Sequence, residues 1–264
     1  MAPLTEIIPC SVRLMPLNEL TARARAVWAS LARVPVAFAP VVRVAVSPGS
    51  SLCPPGWAGL VVIADAAIAT APDTHAAQIM QHALSTVPAA SVTDAAVLSR
   101  KLTIAEMLGP ASLAYLDPAD FQPSGRPGAE TVDVLDPGFR RFLSQADTGD
   151  LAESGLAEIT SPAFVVREEE HIAAAAGYRD WPGQVAHLSV LTAFHARGRG
   201  LGGAAASAAV VHALREDRLP HWRARPEASR RIARRLGFRE LGSQVSIRLA
   251  TGVALSGRPG TARV

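Results

Sequence analysis

The sequence predicts a mixed α/β protein of the α+β kind, divided into two halves. Three observations carry that expectation. β-Branched apolar runs alternate with helix-patterned segments along the chain. One of those runs leads straight into a glycine turn followed by an alanine-rich helix. Between the halves, Gln122 to Gly128 (QPSGRPG) is polar and rich in proline and glycine, which is how a linker reads. The expected division is residues 1–121, a linker over 122–130, a second unit over 131–250 and a flexible tail over 251–264.

A chain of 264 residues that is 49% hydrophobic and 19% charged has enough apolar material for two compact cores and is far from a disordered composition. Glu6, Arg13 and Glu19 interrupt the opening stretch, so no run of signal-peptide or membrane-spanning length is read there or later, and a cytoplasmic location without membrane contact is expected. Cys10 and Cys53 are far apart and in no metal-ligand spacing; two reduced thiols and no metal site are expected. The net charge of +3 is unevenly spread. From Arg197 to Arg239 arginine is dense, offset by Glu216, Asp217 and Glu227 alone, which points to an anionic ligand.

In the first half, Val41 to Val46 and Gly59 to Ala64 read as strands separated by a turn-rich stretch, with a helix expected next. Thr74 to Leu84 has amphipathic spacing and Asp73 before it as a capping candidate. Ser91 to Leu108 also reads as a helix, ended by Gly109-Pro110. No residue of this half is assigned chemistry.

In the second half, Thr131 to Leu135 reads as a short strand and Phe139 to Ser154 as helical or loose. Ala163 to Arg167 and Ile172 to Tyr178 form a hairpin around a charged turn. Val185 to Thr192 is a strand, with Ala186, Leu188 and Val190 facing the core and His187 and Ser189 on the other face.

That strand runs into Arg197-Gly198-Arg199-Gly200-Leu201-Gly202-Gly203, after which Leu201, Ala204, Ala208 and Val211 keep helical spacing. Glycines clear side chains so that backbone N–H groups can converge on a phosphate, and the helix dipole adds attraction. The two arginines supply mobile positive charge. Gly198, Gly200 and Gly203 also satisfy the G-x-G-x-x-G dinucleotide fingerprint. The hairpin before the strand and the short remainder of the chain argue against a doubly wound sheet.

The pattern Arg197, Gly200, Gly202 resembles the pyrophosphate loop, R/Q-x-x-G-x-G/A, of the GNAT superfamily of N-acetyltransferases. A second signature follows in Ala228, Ser229, Ala233 and Leu236-Gly237-Phe238, similar to that family's Leu-Gly-Phe helix end, with an alternating strand Val245 to Leu249 after it. The resemblance spans Thr131 to Leu249 and implies a mixed sheet splayed at its middle, with acetyl-CoA in the splay. It places the pyrophosphate on Arg197, Gly198, Arg199, Gly200, Leu201, Gly202 and Gly203, pairs the pantetheine arm with backbone of Leu191 and Thr192, and sets Ser229 beside the cofactor. The implied reaction is direct transfer of an acetyl group to a primary amine of a small molecule or peptide.

Two departures stand out: Pro226 lies where relatives carry Asn, and Ala233 where many carry the tyrosine that protonates the thiolate. Some relatives carry a glutamate base near His187, which makes His187 the candidate base; a histidine merely satisfied on its strand is the competing reading. Ser229 reads as the N-cap of its helix after Pro226. His195 reads as a loop residue near the cofactor, His212 as a helix-surface residue, and Tyr178, Asp180 and Trp181 as a short loop that lines the acceptor site or turns the chain.

Residues 1–121 carry no second R-x-x-G-x-G loop, so a degenerate GNAT-like unit there would have lost CoA binding; covering the acceptor site or making a homodimer contact are its expected roles. Two non-enzymatic alternatives stand beside the transferase: an acyl-CoA- or nucleotide-binding module, and a DNA-binding helix-turn-helix read from Ser229 to Phe238 (SRRIARRLGF). Nucleic acid is disfavoured, because Gly242 and the alternating VSIRL follow that segment where a recognition helix would be needed.

Overall fold

The computed structural model describes residues 17–126 and 128–250. Among these described residues seven α-helices and ten strands follow one another, with α1 (Leu17–Leu31), β1 (Val44–Val46), β2 (Ala58–Ile63), β3 (Ala66–Ala71), α2 (Thr74–Leu84), α3 (Ala95–Lys101) and β4 (Ile104–Tyr115) in the first half. The second half runs β5 (Ala129–Val132), α4 (Pro137–Gln145), α5 (Thr148–Ser154), β6 (Ala163–Glu168), β7 (His171–Trp181), β8 (Val185–Thr192), α6 (Leu201–Arg215), β9 (Leu219–Ala224), α7 (Glu227–Arg235) and β10 (Arg239–Leu249). All ten strands join one mixed sheet in the order β1-β3-β2-β10-β4-β9-β8-β7-β6-β5.

The halves are interleaved rather than set side by side. β4, from the first half, lies between β9 and β10, and β10 in turn pairs with β2. The stretch expected as a linker is the connection from β4 to β5, although Ala129 and Glu130 already pair with β6. It is tied down by Gln122 N–H donating to Leu236 O and Ser124 N–H donating to Ser207 Oγ. The tail over 251–264 lies outside the described residues.

Helices cover both faces. α6 and α7 bury Ala205, Ala209, Val210 and Ala233 against Phe164, Leu188 and Trp222, while α1 buries Leu20, Ala24 and Trp28 against Val61, Ile63 and Tyr115. Asp73 caps α2 as expected, its Oδ1 accepting from Ala76 N–H at 2.8 Å. The Leu-Gly-Phe signature has a local cause. Gly237 has φ +93°, with its N–H on Arg234 O and Phe238 N–H on Ala233 O, the paired bonds of a Schellman helix end. A Cβ there would also sit 2.0 Å from Asp120 O, so glycine is doubly required.

Several expectations from sequence are corrected. The helix expected after the strands is α2, but before it the chain turns at Ala64-Asp65 into a strand the sequence reading missed, β3, an all-buried hairpin with β2 whose alanines hide its strand character. The helix expected over 91–108 is confined to α3; Ile104 onward is β4, and Gly109-Pro110 lies inside that strand. Helix-forming residues there are overruled by pairing with β10 along the length of β4. Tyr178, Asp180 and Trp181 belong to β7, not to a loop.

Candidate active site

β8 and β9 run parallel and pair only over Val185–His187 and Leu219–His221. Beyond that point β9 stays bound to β4, His221 through Ala224 lying opposite Tyr115 through Ser112, while β8 stays bound to β7. The strands therefore splay, each held by its outer neighbour. Leu219 N–H donates to Gln184 O, which fixes the even-numbered backbone groups of β8 on the β9 side. Alternation then turns the amide groups of Leu188, Val190 and Thr192 toward the splay, where β9 no longer meets them. Ala193 N–H donating to Ala173 O confirms the phase.

At the open end of the splay lies the glycine turn. Gly198 and Gly200 have φ +77° and +80°, the left-handed region that glycine adopts without strain. Gly200 starts α6, and among the described residues the N–H groups of Leu201, Gly202 and Gly203 have no acceptor. Three such donors on the positive end of a helix suit an anion. Gly202 has a different reason: a Cβ would lie 2.5 Å from Thr192 Oγ1, so its absence lets α6 press on β8. The groove between the strands encloses about 590 Å³ and is lined by Val190, Thr192, Gly200, Trp222, Ser229 and Ile232 among others.

On the opposite face of the sheet a second cleft of about 620 Å³ is walled by Trp181, His187, Ser189, Arg179, Arg223 and the Leu52–Pro55 loop of the first half. The groove and the cleft share Glu153, Ser154, Leu188, Arg223 and Ala224, so they meet through the splay. At its closed end His187 and His221, register partners, bring their Nδ1 atoms to 3.1 Å. Trp181 stacks on His187 with ring centroids 4.2 Å apart, and Tyr115, held by a 2.7 Å hydrogen bond from Trp28 Nε1, packs against His221. Burial, then the neighbouring Arg223, pushes the His221 imidazole down to about 3. Burial first, and His221, Arg223 and Arg179 after it, hold His187 well below the usual histidine range. Both rings are neutral at pH 7, and the pair shares one hydrogen bond.

The GNAT acetyltransferase family model matches residues 162–243, which run from the start of β6 into β10 and contain the splay, the turn and both histidines. Over those residues the chain is similar to the GNAT acetyltransferase family. No curated protein matches the sequence. Among solved structures, the chain is similar to a GNAT-family acetyltransferase from Colwellia psychrerythraea at 14% identity, covering 59% of this chain and 60% of that one with a TM-score of 0.44. It is also similar to a GCN5-related N-acetyltransferase from Kribbella flavida at 20% identity, covering 61% and 65% with a TM-score of 0.45. A GNAT-family acetyltransferase described as putative, from Novosphingobium aromaticivorans, aligns at 17% identity over 56% and 67% with a TM-score of 0.40. The chain thus spans about 60% of the length of the first of these.

Within the matched segment, Thr192, Arg197, Gly198, Gly200, Leu201, Gly202, Gly203 and Ser229 all line the groove. Leu191 lines it too, although its side chain packs with Phe139 and Ile172. The strand phase turns the Leu191 backbone toward β7, so of the two residues expected to pair with the pantetheine arm only Thr192 presents its amide to the splay, beside those of Leu188 and Val190. Arg199 turns away to an ion pair with Glu168 in a neighbouring depression, and Arg197 is paired with Asp150 while stacking on the exposed Phe194. Ser229 is not the N-cap of α7; Pro226 holds that position, and Ser229 Oγ accepts from Trp222 Nε1 at 3.0 Å. His195 sits in the depression beside the turn. His212 is half-buried rather than on the surface, its Nδ1 2.9 Å from the Tyr178 hydroxyl, and Asp180 pairs with Arg218, which leaves Trp181 as the cleft residue of the three.

His221, Arg223 and the cleft wall from the first half escaped the sequence reading, which did not recognise β9 as a strand. The usable signal was topological: a strand and helix such as β8-α6 demand a parallel strand next, and LPHWRA is the first candidate after α6. The helix-turn-helix alternative is not what the chain builds, since β10 follows α7 and Arg230 and Arg234 are ion-paired with Glu240 and Glu227. Cys53 is half-buried, donates to Trp57 O, and burial pushes its thiol up to about 11; Cys10 lies outside the described residues. Among the described residues no helix is long and apolar enough to cross a membrane, and no cluster of three His, Cys, Asp or Glu could hold a metal.

Proposed function

We propose that the chain transfers an acetyl group from acetyl-CoA to a primary amine. One observation carries the reading: a groove with an open strand edge along one wall and a glycine-turn helix start at its mouth leads through the splay into a separate cleft. The free N–H groups of Leu201 to Gly203 suit the pyrophosphate, and the open β8 edge suits the amide-bearing pantetheine arm, whose thioester would then reach the splay near Leu188. The amine enters from the cleft.

In this scheme the amine nitrogen bonds to the thioester carbon, a β8 amide facing the splay steadies the developing oxyanion, the C–S bond breaks, and CoA leaves as thiolate. His187 takes the proton lost by nitrogen and passes it to water. Its depressed basicity makes it a weak base that stays neutral and does not hold the proton. Ala233 offers no acid, and none is demanded, because a thiol of pKa about 8.5 is a tolerable leaving group near neutral pH.

Titration calorimetry and thermal melting with acetyl-CoA, NAD and a DNA duplex test the reading. Acetyl-CoA alone should bind and raise Tm. Stabilisation by NAD without acetyl-CoA binding would favour the nucleotide module, and acetyl-CoA binding with no turnover of any amine would favour a non-catalytic CoA-binding module.

A further inference from the structure

The cleft facing the splay has an unbalanced set of charges. Three arginines line it, Arg179, Arg223 and Arg225, against two glutamates, Glu153 and Glu158. Both glutamates are spoken for. Glu158 forms an ion pair with Arg179, and Glu153 pairs with Arg225, whose Nε donates to Glu153 Oε1 at 3.0 Å. Arg223 is exposed by surface area yet crowded by the cleft walls: burial lowers its guanidinium's basicity, Glu158 partly offsets this through space, and among the described residues it makes no hydrogen bond or ion pair. A guanidinium presents five donors in a planar fork, and leaving it unpaired in a concave site invites an oxyanion.

The position of Arg223 narrows the choice of oxyanion. It follows His221 by two residues on β9, so both side chains leave the same face of the strand, about 7 Å apart along it. His221 is paired to His187 at the closed end of the cleft, where the amine must lie to reach the thioester. The phosphate-binding N–H groups belong to Leu201 to Gly203, in the groove and not in the cleft. The His187 and His221 rings are neutral and add no charge there.

We infer that the acceptor is a small amine bearing a carboxylate within a few bonds of its nitrogen, as in a free amino acid, and that Arg223 holds that carboxylate. This rests on the acetyl-transfer reading above and adds the class of acceptor. A peptide N-terminus has an amide where this site wants a carboxylate, and is therefore discriminated against.

The test uses the full chain and two measurements. CoA release is followed with free amino acids and with the matching amino-acid amides, and acetyl-CoA affinity is measured by calorimetry, for the wild type, Arg223→Gln and Arg223→Lys. At least one free acid should be preferred over its amide by about tenfold or more in kcat/KM. Arg223→Gln should abolish that preference mainly through KM, Arg223→Lys should retain part of it, and neither should change acetyl-CoA affinity or Tm. Preference for amides, turnover of no free acid, or a preference surviving in Arg223→Gln would overturn the inference. Weakened acetyl-CoA binding in Arg223→Gln would also overturn it, by placing the guanidinium against CoA. Failure of the wild type to bind acetyl-CoA would instead sink the transfer reading on which the inference stands.

Discussion

His187 and His221 face each other across the last register of the β8–β9 ladder, their Nδ1 atoms 3.1 Å apart, and beyond that pair the two strands part. The ring pair closes the cleft at the point where the sheet opens. Only His187 keeps solvent contact; His221 is fully buried and its Nε2 has no partner among the described residues.

From this pair follows a kinetic expectation. His187 is a weak base, so His187→Ala should lower kcat/KM by about 100-fold, the low end for general-base removal, at pH 7. The deficit should shrink as pH rises and the amine loses its own proton. Because His187 titrates well below pH 6.5, the acid limb of the wild-type profile should track the amine and shift from one acceptor to the next. A deficit equal at every pH would make His187 purely structural.

The same pair makes stability depend on pH. In the unfolded chain His221 protonates below about pH 6.5, whereas in the folded protein it resists protonation down to about 3. The unfolded state therefore binds more protons across that window, and folding stability falls as pH drops through it. Between pH 7 and pH 4.5 the wild type should lose about 2–3 kcal/mol more than His221→Phe in urea unfolding. Parallel loss in both proteins would mean that the buried ring carries no such linkage.

Gly202 and Gly200 should separate packing from binding. Gly202→Ala drives a methyl into Thr192 Oγ1 and should cost about 1–3 kcal/mol of stability, most of it restored by adding Thr192→Ala. Gly200→Asp sets a carboxylate beside the free N–H groups and should abolish acetyl-CoA binding, at a stability cost of about 1–2 kcal/mol that comes from its φ of +80° and not from crowding, the nearest atoms being those of the Arg126 side chain. Additive losses in the Gly202/Thr192 pair, measured by thermal melting, would refute the packing account.

Ser229→Ala leaves the Trp222 indole N–H without its acceptor. It should cost about 1 kcal/mol of stability and little turnover. A large loss of turnover at unchanged stability would instead make the hydroxyl the acid that Ala233 does not supply.

Residues 122–250 expressed alone should fail to unfold cooperatively. β9 and β10 do not pair with each other; β4 bridges them, and its removal strips ladder partners from both. A sharp melting transition for that fragment would show that the second half closes its own sheet.

Whatever depended on neighbours in the chain could be read from the residues. The β6–β7 hairpin, the β8 strand, the Arg197 to Gly203 turn and the Leu-Gly-Phe helix end are local patterns in which glycine placement, alternation and capping declare themselves within about ten residues. The groove was legible for that reason. β3 and β4 were not, because Ala-rich and helix-forming residues take strand geometry there only through partners found far along the chain. The cleft was illegible for the same cause. His187 meets His221 across 34 residues by parallel register, Arg223 is singled out only once Arg179 and Arg225 are seen to be paired, and the Leu52–Pro55 wall comes from the other half. Short-range sterics and hydrogen bonding set the anion-binding turn. Long-range strand pairing, which can form only when the chain closes on itself, decided which side chains face the splay.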